Sequence, residues 1–201
     1  MKIKKTLLTF VRGIGNSPSL TQTSMFTYRY PHPAVTTDCV IFGLDGSTLR
    51  VLLIRRGNAP FRDCWALPGG FLNPDEDALT GARRELQEET GLSHVAVVQC
   101  KAFSTPGRDP REWVITIAHY ALTHLSEVHA ADDAADARWW NVEDTLPSLA
   151  FDHRDILLTA IRQLRRQIIH YPDELRTEGQ HFSDGELSTV LAALTQAEKK
   201  I

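Results

Sequence analysis

One acidic helix constrains this chain more than any other feature. Residues 70–92 read GFLNPDEDALTGARRELQEETGL. Glu85, Glu88 and Glu89 stand at i, i+3 and i+4, so a helix sets their three carboxylates on one face. Each close pair of like charges costs roughly a few tenths of a kcal/mol on an exposed helix. The cost grows where water is excluded, because the effective dielectric falls. A fold that keeps such a face must bring positive charge to it. Carboxylate oxygens at this spacing suit a divalent cation, Mg2+ or Mn2+.

The helix carries its own boundary signals. Asn73 is the expected N-cap, Pro74 fits the first helical position, and Glu76 lies where a capping box wants it. Gly91 is the expected left-handed C-cap. Ala78, Leu79, Ala82 and Leu86 form an apolar stripe that anchors the helix beside its acids. Upstream, residues 65–71 (WALPGGF) read as a strand ending in a double-glycine turn. Glycine there lets a backbone carbonyl approach a ligand closely.

The pattern G-x5-E-x7-R-E-L-x-E-E-x-G-L is complete from Gly70 to Leu92. It resembles the Nudix box at every defining position, and the stretch from about Thr37 to Gln167 is similar to a Nudix domain. The resemblance implies a hydrolase that cuts the pyrophosphate of a nucleoside diphosphate linked to another moiety. It implies a metal, Mg2+ with Mn2+ as substitute, held by Glu85, Glu88, Glu89 and the Gly70 carbonyl, with the same three glutamates as catalytic residues. Either Glu85 or Glu89 takes the proton of the attacking water. Glu76, Arg84 and Gly91 take structural roles in the box, Glu76 as a cap or as partner to Arg84, and Arg84 as the residue that orients a carboxylate.

A second segment, FSTPGRDPR at residues 103–111, is a loop with turns set by two prolines and a glycine. Chemistry leaves two readings open. Arg108 and Arg111 clamp phosphate oxygens through paired N–H donors, or Asp109 pairs with one of them and stiffens the loop. The segment is similar to one in Nudix proteins of ADP-ribose and NAD metabolism, and this favours substrate contact. Phe103, at the head of the loop, joins the substrate-contact set. Arg55 joins it too, because Arg55 and Arg56 end a strand leading towards the cleft, although surface solvation is the commoner fate of such a pair.

Composition agrees with one main domain. A chain of 201 residues, 42% hydrophobic and 23% charged, can bury a real core. The expected organisation is a flexible extension over 1–30, a Nudix domain over 31–170 and a helical extension over 171–201. Strands are expected at 35–44, 49–55, 95–103, 113–122 and 138–142, with an Asp45-Gly46 hairpin turn. A long amphipathic helix over 151–170 carries Ile156, Leu157, Ala160, Ile161, Leu164 and Ile168 on one side. Strands with a helix against each face predict an α/β fold, a Nudix-type α/β/α sandwich with a mixed sheet. Of the adjacent Trp139 and Trp140, only one is expected to face the core.

Residues 1–25 carry Lys2, Lys4, Lys5 and Arg12 without an acid, and the apolar run at 7–11 is shorter than a secretory signal needs. They read as a tail, with Met25 as an alternative start. A cytoplasmic location is the expectation, and no segment approaches transmembrane length. Cys39, Cys64 and Cys100 are scattered and read as reduced thiols. His119, His124 and His129 are spaced too irregularly for a metal site. Asp132, Asp133 and Asp136 read as a solvated loop, although one of them, or Glu127, would supply an acid from outside the box.

A net charge of -3 favours neither nucleic acid nor membrane. The best expectation is hydrolysis of ADP-ribose to AMP and ribose 5-phosphate. The segment LAFDH at 149–153 with its following helix resembles both ADP-ribose hydrolases and transcriptional regulators that sense ADP-ribose through a Nudix domain and bind DNA through a winged helix. Residues 171–201 are too few for a complete winged helix, and a remnant is the expectation. Their three basic residues (Arg176, Lys199, Lys200) face six acidic ones (Asp173, Glu174, Glu178, Asp184, Glu186, Glu198), the wrong balance for binding phosphates. A third expectation is sanitation of oxidised nucleoside triphosphates. A homodimer built on the 151–170 helix is the expected assembly.

Overall fold

The computed structural model describes residues 28–128, 134–175 and 181–201. The expectations for Lys2, Lys4, Lys5, Arg12, Met25, His129, Asp132, Asp133, Arg176 and Glu178 lie outside them. The chain divides into two units, Met1–His32 and Pro33–Ile201. In the first, the described part contains a ring contact between Tyr28 and His32.

The second unit is an α/β/α sandwich. Its strands are β1 (Ala34–Asp45), β2 (Thr48–Arg56), β3 (Trp65–Ala66), β4 (Gly69–Phe71), β5 (Val98–Phe103), β6 (Val114–His124) and β7 (Ala134–Asn141). Its helices are α1 (Ala78–Thr90), α2 (His153–His170) and α3 (Asp184–Lys200). The sheet is mixed, ordered β3-β2-β1-β6-β5, with β4 beside β1 and β7 beside β2. β1 runs parallel to β6 along Ala34–Leu44, and antiparallel to both β2 and β4.

Strand β1 is buried on both faces from Thr36 to Leu44, as a strand must be when helices cover both sides. Cys39, Ile41, Leu52 and Ala121 meet Ala82 and Leu86 of α1. Val40, Phe42, Val51 and Leu53 meet α2 and α3 on the other face. The two tryptophans follow the same division. Trp139 packs on the α1 side and Trp140 on the α2–α3 side, so both pack, each on its own core cluster. The expectation that only one would face the core treats the sheet as one-sided.

On β1, residues 36–38 pair with β4 and residues 42–45 pair with β2. Between these partners the strand edge changes hands, and Pro68 fills the gap by accepting from the Cys39 N–H at 2.8 Å. This opening holds the turn that leads into α1.

Two helix starts differ from expectation, α2 beginning at His153 and not at Phe151. α1 starts after Asp77, whose carboxylate accepts the Thr80 N–H at 2.7 Å, and not after Asn73. Leu79 is left exposed, while Ala82 and Leu86 carry the burial. Gly91 ends the helix in the left-handed region at φ 74°, as expected.

α3 completes the second helical layer. Leu187, Val190, Ala193, Leu194 and Ala197 are buried in the same cluster as Ile156, Leu157, Ile161 and Leu164 of α2. A capping box of Ser183 and Glu186 starts it. The apolar face of α2 is therefore spent against the sheet and α3, and that stripe offers nothing to a second copy. Among the described residues, no helix is long and apolar enough to cross a membrane.

Candidate active site

The site forms where the β3–β4 turn meets α1. Gly69 pairs with Asp38 in the sheet, and a Cβ there would strike the Thr37 carbonyl oxygen, so only glycine fits. A Cβ on Gly70 would fall 2.5 Å from the Glu85 carboxyl carbon. The bare backbone of this turn therefore lies directly against a carboxylate of the acidic face.

Glu85 and Glu89 are each 8% exposed, and Glu88 stands at the rim. Arg84 gathers the acids. It donates to both Glu76 oxygens at 2.5 and 3.0 Å, to Glu85 at 2.8 Å, to Glu88 at 2.9 Å and to the Phe71 carbonyl at 3.2 Å. One guanidinium fork thus ties the helix to β4 and offsets the like charges. Hydrogen bonding to Arg84 holds Glu76 at about 2. Glu76 also accepts the Asn73 N–H, so it closes the turn over residues 73–76 and pairs with Arg84 at once.

Glu89 turns the other way. It accepts the Gly69 N–H at 2.8 Å. Burial, with Glu85 and Asp38 nearby, still pushes its carboxyl up to about 8 against the pull of that hydrogen bond. Because Arg84 draws Glu85 and Glu88 together and Gly69 draws Glu89, the acids do not converge on one point, and among the described residues no three form a preformed metal cage. The donor chemistry nonetheless fits a divalent cation: hard oxygens on a buried face with more negative charge than its surroundings accept.

Behind the turn lies a buried polar network that the sequence reading did not assign. Asp38 accepts from the Thr116 hydroxyl at 2.6 Å and lies 3.6 Å from His153 Nε2 and 3.8 Å from Arg108 Nη2. His153 Nδ1 accepts the Leu67 N–H at 2.9 Å. Arg108 donates twice to Asp152, at 2.6 and 2.9 Å, and its side chain is only 4% exposed. Asp152 is the N-cap residue of α2 but makes no side-chain cap bond, its carboxylate being engaged by Arg108. A charged residue inside the run VTTDCVIF was the available signal for Asp38.

A cationic and aromatic wall adjoins this network. Phe151 sits at φ 52°, an uncommon conformation for a bulky residue. Its ring packs against Phe61 with centroids 4.7 Å apart. The Arg56 guanidinium lies 4.9 Å from it and the Arg111 guanidinium 5.6 Å, the latter also 5.1 Å from the Phe71 ring. Burial and the neighbouring Arg111 lower the Arg56 pKa, and Glu89, Asp109 and Asp38 lie near enough to raise it.

The remaining expected residues are placed as follows. Arg55 is on the surface, paired with Asp63 at 3.1 Å. Arg111 is held by Asp109 in a two-pronged pair, at 2.7 Å for the shorter arm, and stays 38% exposed. Phe103 packs against the core, with the Lys101 ammonium 5.3 Å from its ring. Glu127 is exposed on a loop. His119 is buried and bonded to the Thr37 hydroxyl, and His124 pairs with Glu186 of α3.

The NUDIX domain family matches residues 32–160, and the chain belongs to that family. An ADP-ribose pyrophosphatase of Methanocaldococcus jannaschii is 40% identical over 133 residues, which is 66% of this chain and 76% of that protein. An ADPR responsive transcriptional repressor, NtrR, of Acinetobacter baylyi is 36% identical over 142 residues, 69% of this chain. The match spans 57% of the repressor's length. The crystal structure of the NUDIX domain of Shewanella oneidensis NrtR complexed with ADP ribose is similar at TM-score 0.64 and 32% identity, over 67% of this chain and 90% of that one.

Proposed function

We propose that this chain is a pyrophosphohydrolase that cleaves ADP-ribose to AMP and ribose 5-phosphate with Mg2+. The observation that carries the reading is the burial of Glu85 and Glu89 against the Gly69–Gly70 backbone, beside a cationic wall. The sequence neighbours named for ADP-ribose support the choice of substrate. Glu85, Glu88, Glu89 and the Gly70 carbonyl would hold the cation, which supplies charge neutralisation and a more acidic water when bound. Glu85 and Glu89, the two buried carboxylates of the acidic face, would take the proton of the attacking water.

Arg56 and Arg111 would orient the phosphates from the wall beside Phe151, Arg111 staying 38% exposed while Asp109 holds it in place. Arg108 is buried in its pair with Asp152, and Arg55 lies on the surface with Asp63, so we assign them to the scaffold. An open groove lined by Ser104, Pro106, Asp109, Arg111 and Trp113 leads away from Arg111 and offers room for the second moiety. The protein would work in the cytoplasm.

A second reading, an ADP-ribose sensor that acts on DNA, is favoured by the similarity to the repressor. The burial of α3 in the core and the acidic balance of residues 171–201 weigh against that segment's being a DNA-binding module. The test is a panel of ADP-ribose, NADH, diadenosine polyphosphate and 8-oxo-dGTP with Mg2+ and product analysis. AMP plus ribose 5-phosphate from the first supports the enzyme. Tight ADP-ribose binding without turnover, with a salt-sensitive DNA gel shift, supports the sensor. Preferred turnover of 8-oxo-dGTP would replace both with sanitation of oxidised nucleotides.

A further inference from the structure

The β3–β4 turn delivers the Gly69 N–H to Glu89 and brings the Gly70 backbone against the Glu85 carboxylate. Three bonds fix that turn. The Leu67 N–H donates to His153, the Pro68 carbonyl accepts from Cys39, and the Gly69 N–H donates to Glu89. Two of these use backbone or the site itself. The first uses a side chain from a different element, 86 residues along the chain.

The tautomer of His153 follows from its partner. An amide donor opposite Nδ1 makes that nitrogen the acceptor, so the ring proton sits on Nε2, which faces Asp38 at 3.6 Å. Asp38 is itself fixed by Thr116 and flanked by Arg108. The ring is 4% exposed, and burial favours its neutral form, the one that can accept at Nδ1. Asp38 also lies on the strand residue that pairs with Gly69.

We propose that Asp38 and His153 form a positioning pair in which Asp38 only holds the ring with its proton on Nε2, while the Nδ1 acceptor sets the Leu67 amide and, through residues 67–69, aims the Gly69 N–H at Glu89. The pair touches neither substrate nor cation. It acts by fixing the rotamer of the one carboxylate of the acidic face that Arg84 does not hold. The idea rests on the reading of Glu89 as a metal ligand, and it extends that reading to an outer layer of the site.

Two variants of similar polarity separate the roles of the two ring nitrogens. His153→Asn puts an amide oxygen where Nδ1 accepts from Leu67. His153→Gln reaches the Nε2 position towards Asp38 and leaves the Leu67 amide without its acceptor. Mn2+ affinity should fall about tenfold or more in His153→Gln and stay within about threefold of wild type in His153→Asn, the range typical of outer-layer partners. Amide hydrogen exchange at Leu67 and Gly69 should quicken by about tenfold in His153→Gln alone, with Val40 and Tyr120 unchanged as controls for the fold. With ADP-ribose, kcat should fall in His153→Gln while KM stays within about threefold.

Equal Mn2+ affinities in the two variants would overturn the proposal, as would a tenfold loss in His153→Asn. If His153→Gln does not fold, His153→Asn against wild type still decides on that second criterion. If the wild-type protein binds Mn2+ but hydrolyses none of the panel, the functional reading fails while exchange and cation affinity still judge the positioning pair.

Discussion

Glu89 carries a charge that its surroundings oppose. It is 8% exposed, lies near Glu85 and Asp38, and has the Gly69 amide as its main compensation. In the cation-free protein its folded pKa of about 8 lies above the unfolded value of about 4.3. Between those values the folded state binds more protons than the unfolded chain. The stability linked to this proton is complete below the lower value and is lost as pH rises towards 8. Urea denaturation without metal should therefore show wild type losing, relative to Glu89→Gln, on the order of a few kcal/mol between pH 5 and 8. A difference that does not change with pH would contradict the burial argument. With Mg2+, Glu89→Gln should lose most turnover, about a hundredfold, with a circular dichroism spectrum like wild type. Activity within twofold of wild type would refute its role.

At the scale of elements, α1 shows how a local signal is diverted. Asn73, Pro74 and Glu76 read as a helix start, yet Arg84 and the Asn73 amide take Glu76, and residues 73–76 form a turn instead. A Cβ on Gly81 would strike Leu72 and approach Glu76 Oε1, so this glycine makes room for that turn to fold back on the helix. The capping role passes to Asp77. α3 is the converse case, a helix legible in the sequence whose place was not. Leu194 of α3 is fully buried in the core cluster that α3 shares with α2 and the sheet. Leu194→Ala should cost about 2–5 kcal/mol and lower the midpoint of a single cooperative transition. A separate early transition confined to α3 would show instead that the helix is an independent appendage.

At the scale of the whole molecule, a cation held on the acidic face would be coupled to stability. The acidic face favours the folded state less as its protons leave, and a bound cation reverses that penalty. Mg2+ should raise the melting midpoint more at pH 8 than at pH 5.5, and EDTA should abolish both the shift and any turnover, with recovery on adding Mg2+. An equal shift at both pH values would mean that the cation binds away from Glu89. The sandwich draws the candidate site from separate elements: acids on α1, backbone on the β3–β4 turn, Arg56 on β2, Arg111 on the loop after β5, and Phe151 just before α2.

The acidic face, the Gly91 cap, the hairpin at Asp45-Gly46 and the stripe of α2 were all readable in the sequence. Each depends on neighbours within a turn or two, where helical and strand periodicity write the answer directly. What Arg108, Trp139 and His153 would touch was not readable, whereas the pairing of Asp109 with Arg111, two residues away, was one of the two readings of that loop. Arg108 meets an aspartate 44 residues away, and the two tryptophans were split by helices on opposite faces of the sheet. A long cationic or aromatic side chain takes whichever partner the packed layers bring within reach and desolvate. Spacing along the chain carries the chemistry of the acidic helix, and only the closure of the sandwich around β1 selects which of the surrounding charges face it.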